Sequence, residues 1–177
     1  MEFNKSKTYL NLLAAFAGEA QASIRYQYFA KKAKKEGYEQ IAAIFDTTSK
    51  NEYEHAYLWA KRLDMIQSTS ENLQRGAEGE HYEWDEMYRG FAQTAREEGY
   101  NDIAAMFDGV ASVEKEHEQR YLQLKQNIAE NKVFNRSPDT YWICRNCGYI
   151  MQGATPPEIC PVCVHPQAYF EIKPENY

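Results

Sequence analysis

Residues 29–46 read FAKKAKKEGYEQIAAIFD and residues 91–108 read FAQTAREEGYNDIAAMFD, an offset of 62 residues. The match spreads outward: Gly18-Glu19 recurs as Gly79-Glu80, and Glu52-x-x-His55 recurs as Glu114-x-x-His117. Two long units are too few for a solenoid, which needs at least three to bury its faces. They describe a duplicated helical hairpin. Each unit breaks at Glu-Gly-Tyr, and Gly37 and Gly99 stand where a helix ends on a left-handed residue. Apolar Leu10, Leu13, Ala14 and Ala17 fall on one face at helical spacing, as do Ile41, Ile44, Phe45 and Thr48. The expected helices cover 6–36, 39–64, 71–98 and 101–131. Rods of about 45 Å bury a core only as a bundle. The expected fold class is an all-α four-helix bundle followed by a small β and loop module that carries the cysteines.

The 177 residues are 44% hydrophobic and 26% charged, an ordinary globular balance. Acidic side chains outnumber basic ones by 26 to 20, which argues against a nucleic-acid partner. No apolar run reaches the roughly 18 residues of a membrane span, so no membrane partner is expected. Lys5 and Lys7 ahead of the apolar stretch 9–17 imitate a secretory leader. Asn11 interrupts that stretch, and the helical pattern runs on through 19–35, so no leader is expected. The four cysteines form two C-x-x-C pairs with none left over, whereas a secreted disulfide scaffold would scatter them. An intracellular, cytoplasmic metal protein is the reading.

Composition shifts after Lys132, beyond which lie all six prolines and all four cysteines. The stretch Asn135-Arg136-Ser137-Pro138-Asp139 is linker-like. The expected domains are a bundle over 1–135, a linker over 136–140 and a metal module over 141–177. So short a module needs a metal as its staple.

Glu and His three residues apart on a helix lie one turn apart on one face and can point at one centre. Glu19 and Glu80 fall in the middle of the preceding helices. One Glu from each of two helices, with one Glu-x-x-His from each of the other two, is the ligand set of carboxylate-bridged dinuclear centres in bundles. A single Glu-x-x-His is usually a solvated helix face. Two copies, each following its matching Glu in a duplicated unit, are not. Converging carboxylates would repel and lose their hydration unless cations neutralise them. Oxygen-rich ligation with two imidazoles suits iron or manganese.

The duplication carries a mismatch. Glu19 and Tyr26 are seven residues apart, but Glu80 and Tyr88 are eight, so one residue is inserted in GEHYEWDEMY. Such an insertion is expected as a π-bulge, a feature frequent at functional sites. Glu83 lies there, three residues after Glu80, and its counterpart is Ala22. It is expected as a fifth core glutamate on one side only. Tyr26 and Tyr88 either pack in the core with tethered hydroxyls or donate hydrogen bonds to an oxygen species at the metal. His81 and His165 fit neither pattern and are expected as non-ligands. Cys144, Cys147, Cys160 and Cys163 give tetrahedral sulfur ligation for zinc or a single iron, a structural zinc ribbon being the plain reading of those cysteines alone.

These motifs resemble the rubrerythrin family over essentially the whole chain. The residues that carry the resemblance are Gly18-Glu19-Ala20-Gln21-Ala22 with Arg25-Tyr26, both Glu-x-x-His motifs, and Gly79-Glu80-His81-Tyr82-Glu83 with Met87-Tyr88. The tail adds a rubredoxin-like module, with Trp142 before the first cysteine, a Cys-Gly-Tyr turn and a Cys-Pro-x-Cys-x-His-Pro ending. Its C-terminal position matches one of the two known domain orders. Ala20 and Ile24 replace the common Ser and Asn forms, away from any ligand position.

The resemblance implies a ferritin-like bundle with two non-haem irons, an iron on four cysteines, and a head-to-tail homodimer. It implies Glu19, Glu52, Glu80, Glu83, Glu114 and His117 as ligands of the oxidised di-iron site, with His55 replacing Glu83 on one iron on reduction. Tyr26 and Tyr88 match the tyrosines beside that site. The implied activity is reduction of hydrogen peroxide to water, each iron giving one electron. Electrons return through the four-cysteine iron from a separate NAD(P)H-dependent reductase, since the chain has no Gly-rich nucleotide motif. The alternative is a ferritin-like ferroxidase or iron-handling protein; a third reading is a structural or sensory protein with zinc on the cysteines.

Overall fold

The structure, a computed structural model, describes residues 2–176; the outer ends of the two expected domains, residues 1 and 177, lie outside that range. The chain divides into two compact units, Met1–Ser68 and Thr69–Tyr177.

The first unit is the helical pair α1 (Lys7–Lys35) and α2 (Glu39–Arg62). Ser6 starts α1 as an N-cap, its hydroxyl accepting from the Tyr9 N–H at 3.1 Å. Gly37 ends it at φ 84°, with Tyr38 N–H donating to the Ala33 carbonyl and Gly37 N–H to that of Lys34. Those two bonds define the Schellman stop expected at this glycine. The buried seam between the helices is built mainly of small residues: Ala30, Ala33 and Ala42 are buried, with Phe45 packed against them. Ser23 and Ser49 clasp across it, each hydroxyl donating to the other's backbone carbonyl at 2.9 and 2.8 Å. Leu10, Ile41 and Ile44, placed by periodicity on apolar faces, are 61, 46 and 59% exposed. The reason is geometric: a two-helix layer has one seam to bury and leaves its outer apolar face to another layer.

The second unit repeats this plan. Its third long helix is α3 (Thr69–Tyr82), a π-helical turn (Glu83–Met87) and α4 (Tyr88–Glu97), followed by α5 (Asn101–Ala129). The inserted residue is thus absorbed as a π turn beginning at Glu83. Gly99, at φ 88°, ends α4 with the same pair of bonds, from Tyr100 to Ala95 and from Gly99 to Arg96. Lys34–Asp46, at 2.9 Å, has its duplicate in Arg96–Asp108. Among the described residues, no helix is long and apolar enough to cross a membrane.

After α5 comes an antiparallel sheet in the order β2-β1-β3, with β1 Tyr141–Cys144, β2 Ile150–Gln152 and β3 Phe170–Ile172. Its core is Trp142, Cys144, Cys160 and Phe170. The Trp142 indole N–H donates to the Gly153 carbonyl at 2.8 Å. Phe134 packs on this core and Arg136 N–H donates to the Ala154 carbonyl at 2.9 Å, so the chain docks on the module before β1 begins.

Candidate metal centres

Helix pairing sets the site geometry in each unit. Glu19 lies on α1 and Glu52 and His55 lie on α2; their ligand atoms fall within 4.8 Å of one another. His55 Nδ1 is 2.8 Å from Glu52 and 3.9 Å from Glu19. In the second unit Glu80, Glu114 and His117 form the matching trio, with His117 Nδ1 2.7 Å from Glu114 and 3.8 Å from Glu80. The two copies agree to 0.1 Å in both distances. Each offers two carboxylates and one imidazole nitrogen, a donor set that fits iron or manganese.

Glu83 is not in the second trio, but its charge acts on Glu80 and on Tyr88. Burial lifts the Tyr88 phenol above its ordinary value, and the charges of Glu83, Glu114 and Glu80 lift it further. Tyr88 packs on Phe91 and Phe107 at 6.3 and 5.9 Å; Tyr26 packs on Phe29 and Phe45 at 6.1 and 6.0 Å. The aromatic triad is therefore duplicated as faithfully as the donors. His165 Nδ1 lies 3.1 Å from the Cys163 carbonyl, and His81 lies against Glu118, outside both trios. Spacing did not reveal Glu118 as a neighbour of His81, because that contact crosses between helices.

Burial raises the Glu80 carboxyl, the Glu114 charge adds to this, and His117 opposes it. A raised carboxyl means that the fold prefers the protonated form. That contribution to stability is whole below the ordinary value of 4.5 and is lost as pH rises through the raised one. The metal-free protein should therefore weaken from about pH 4.5 toward neutrality, as urea unfolding at successive pH values would show. Bound cations should reverse this trend, since their ligands must be deprotonated. A metal-free protein equally stable at pH 5 and 7 would mean that the two glutamates do not crowd.

The four cysteines form one cluster in the second unit. Cys144 Sγ is 3.6 Å from Cys163 Sγ, and Cys147 Sγ is 3.7 Å from Cys160 Sγ. A tetrahedron with metal–sulfur bonds of about 2.3 Å has edges of ~3.8 Å, so the cluster fits a single ion. The His165 backbone N–H pulls Cys163 down to about 6 against the effect of burial. For Cys147 the Tyr149 backbone N–H favours the thiolate, but burial and protons shared with Cys163, Cys160 and Cys144 push it up to about 12. Left alone, the four thiols share protons and do not all ionise together. A cation is what stabilises four thiolates together.

Comparison with known proteins gives one consistent result. The family model described as rubrerythrin matches residues 11–125, and that of the rubrerythrin rubredoxin-like domain matches residues 142–171. A rubrerythrin of Porphyromonas gingivalis is 48% identical, the match covering 99% of this chain and 96% of that one. Rubrerythrin-1 of Clostridium acetobutylicum is 47% identical and the rubrerythrin of Nitratidesulfovibrio vulgaris 46%, each over 97% of both chains.

Proposed function

Because the chain belongs to the rubrerythrin family, we propose that it is a cytoplasmic peroxidase that reduces hydrogen peroxide to water with electrons from a separate NAD(P)H-dependent reductase. Its fold is ferritin-like and all-α, with a rubredoxin-like C-terminal module, and its cofactors are a non-haem di-iron site and one iron on four cysteines. We assign Glu19, Glu52, His55, Glu80, Glu83, Glu114 and His117 to the di-iron site, and Cys144, Cys147, Cys160 and Cys163 to the third iron. The working unit is a head-to-tail homodimer of chains divided into 1–135, 136–140 and 141–177.

The observation that carries this reading is the presence of two carboxylate–imidazole trios and a four-thiolate cluster in one chain. An iron store needs a cage and has no obvious use for a one-electron relay. When bound, iron supplies the electrons, two for each peroxide, so that peroxide and two protons become two waters. The chain's own part is positioning and proton control. Tyr88, held protonated by burial and by three nearby carboxylates, keeps a hydroxyl donor at neutral pH. Tyr26 offers the corresponding hydroxyl in the other unit. Glu83 and His55 would hold one iron in turn, the carboxylate in the oxidised state and the imidazole in the reduced one.

The test is anaerobic reduction of the iron-loaded protein followed by stopped-flow mixing with peroxide. The di-iron site should reoxidise once per peroxide, and added reductase should sustain NAD(P)H consumption. Iron deposited as mineral, with no such consumption, would make this an iron-handling protein instead. Glu83→Ala should still bind two irons yet reoxidise at least about tenfold more slowly. A native rate in that variant would remove Glu83 from the centre.

A further inference from the structure

The insertion in the third helix is accompanied by side chains that the first unit lacks. Trp84, inside the π turn, donates its indole N–H to one carboxylate oxygen of Glu118 on α5, at 2.6 Å. His81 Nδ1 lies 3.0 Å from the other oxygen, with its ring edge-on to Trp84 at 5.1 Å. Lys115, one turn before Glu118, stands 5.1 Å from the Trp84 ring centroid, a cation–π contact. Both oxygens of Glu118 are engaged, and its side chain is only 18% exposed. Neither His81 nor Glu118 belongs to a donor trio.

In the first unit the matching positions are Ala20, Ser23, Tyr53 and Ala56, and together they line a cavity of about 260 Å³. That unit is locked by the Ser23–Ser49 clasp instead, and the counterpart of Ser49 is Ala111, which has no hydroxyl. The same helix pair is thus held by two different devices, and the longer one occurs only where a residue has been inserted. The physical need is clear. A π turn breaks the regular ladder of the helix and leaves the local backbone less constrained. Glu83 opens that turn, immediately before Trp84, so α3 alone cannot fix its direction.

We infer that Glu118 is a positioning residue: through Trp84 and His81 it pins the π turn to α5 and so sets where the Glu83 carboxylate stands. Its relevance to catalysis rests on Glu83 being an iron ligand; the tether itself does not. Lost packing alone would loosen the whole helix pair, whereas a tether acts on the turn and through one carboxylate.

The test uses the iron-loaded full chain with Glu118→Ala, Glu118→Gln, Glu83→Ala and the Glu83→Ala/Glu118→Ala double variant. Amide exchange across residues 83–87, followed by mass spectrometry, should rise about tenfold in Glu118→Ala while α1 and α2 keep native protection. Glu118→Gln, which retains an acceptor for the indole, should restore it toward native. Single-turnover reoxidation by peroxide should slow about 10–100-fold in Glu118→Ala. The double variant should be no slower than Glu83→Ala alone, because one residue acts through the other. Native exchange at 83–87 in Glu118→Ala, or additive losses in the double variant, overturns the inference. If Glu118→Ala does not fold, Trp84→Phe removes only the indole donor and should show the same local exchange. A native rate in Glu83→Ala would sink the ligand reading instead, and exchange at 83–87 would still decide the tether.

Discussion

Peroxidase activity should return when two inactive chains are paired. One chain carries Glu114→Ala, which removes a proposed di-iron ligand; the other carries Cys144→Ser with Cys147→Ser, which removes the proposed relay. Each homodimer should lack reductase-driven turnover, while the mixed dimer joins an intact cysteine module to an intact di-iron site on the other chain. Little slack separates the two centres within one chain. From His117 the helix runs on to Ala129, about 18 Å along its axis. The chain beyond is soon committed: the Asn135 side chain donates to the Asn131 carbonyl at 3.0 Å, and Phe134 already packs on the module. Folding the module back toward its own di-iron site would break these contacts and order a strained linker, whereas a head-to-tail partner needs neither. Rescue should restore roughly half of the native turnover per dimer, since one of two di-iron sites is intact. No rescue, with both chains folded and paired, would show that each chain serves its own site.

Removing metal should unfold the cysteine module and leave the helices standing. The buried cluster at its centre is Trp142, Cys144, Cys160 and Phe170, so half of it is cysteine. Structural metal in small modules contributes about 10–16 kcal/mol of folding free energy, far more than such a core can replace. After chelation under reducing conditions, amides of β1 and β3 should exchange at nearly unprotected rates, while those of α1 and α2 keep most of their protection. A metal-free module that stayed protected would mean that its stability comes from Trp142 and Phe170 packing instead.

How much of this was legible beforehand depended on whether a feature repeats or is local. Gly37 and Gly99 announced their helix stops because both copies break at Glu-Gly-Tyr and glycine alone enters the left-handed region without strain. The π turn was readable as a counting mismatch between Tyr26 and Tyr88. The stops at Asp64 and Asn131, both at positive φ, fall where the expected helices 39–64 and 101–131 end, and Asp and Asn are the side chains that enter the left-handed region most readily after glycine. The Glu118 tether was not legible, since its partners lie 34 and 37 residues away and meet it only through helix pairing. Val164 is a further surprise: it holds φ 61° after the second C-x-x-C, where Gly148 serves the first. A β-branched residue there is strained, and nothing in the order of residues marks it.

Each donor trio is complete within its own hairpin, and this sets an order of events in time. A hairpin of adjacent helices has short loops to close and forms quickly. During synthesis the last donor of the first trio, His55, leaves the ribosome 62 residues ahead of His117. At about 5–20 residues per second, that is a wait of roughly 3–12 s. Over those seconds the nascent chain presents one finished set of two carboxylates and an imidazole to whatever divalent ions surround it. Were each trio to load as it forms, Glu19, Glu52 and His55 would meet metal first and their copies only later, and metal selection would be partly a matter of kinetics.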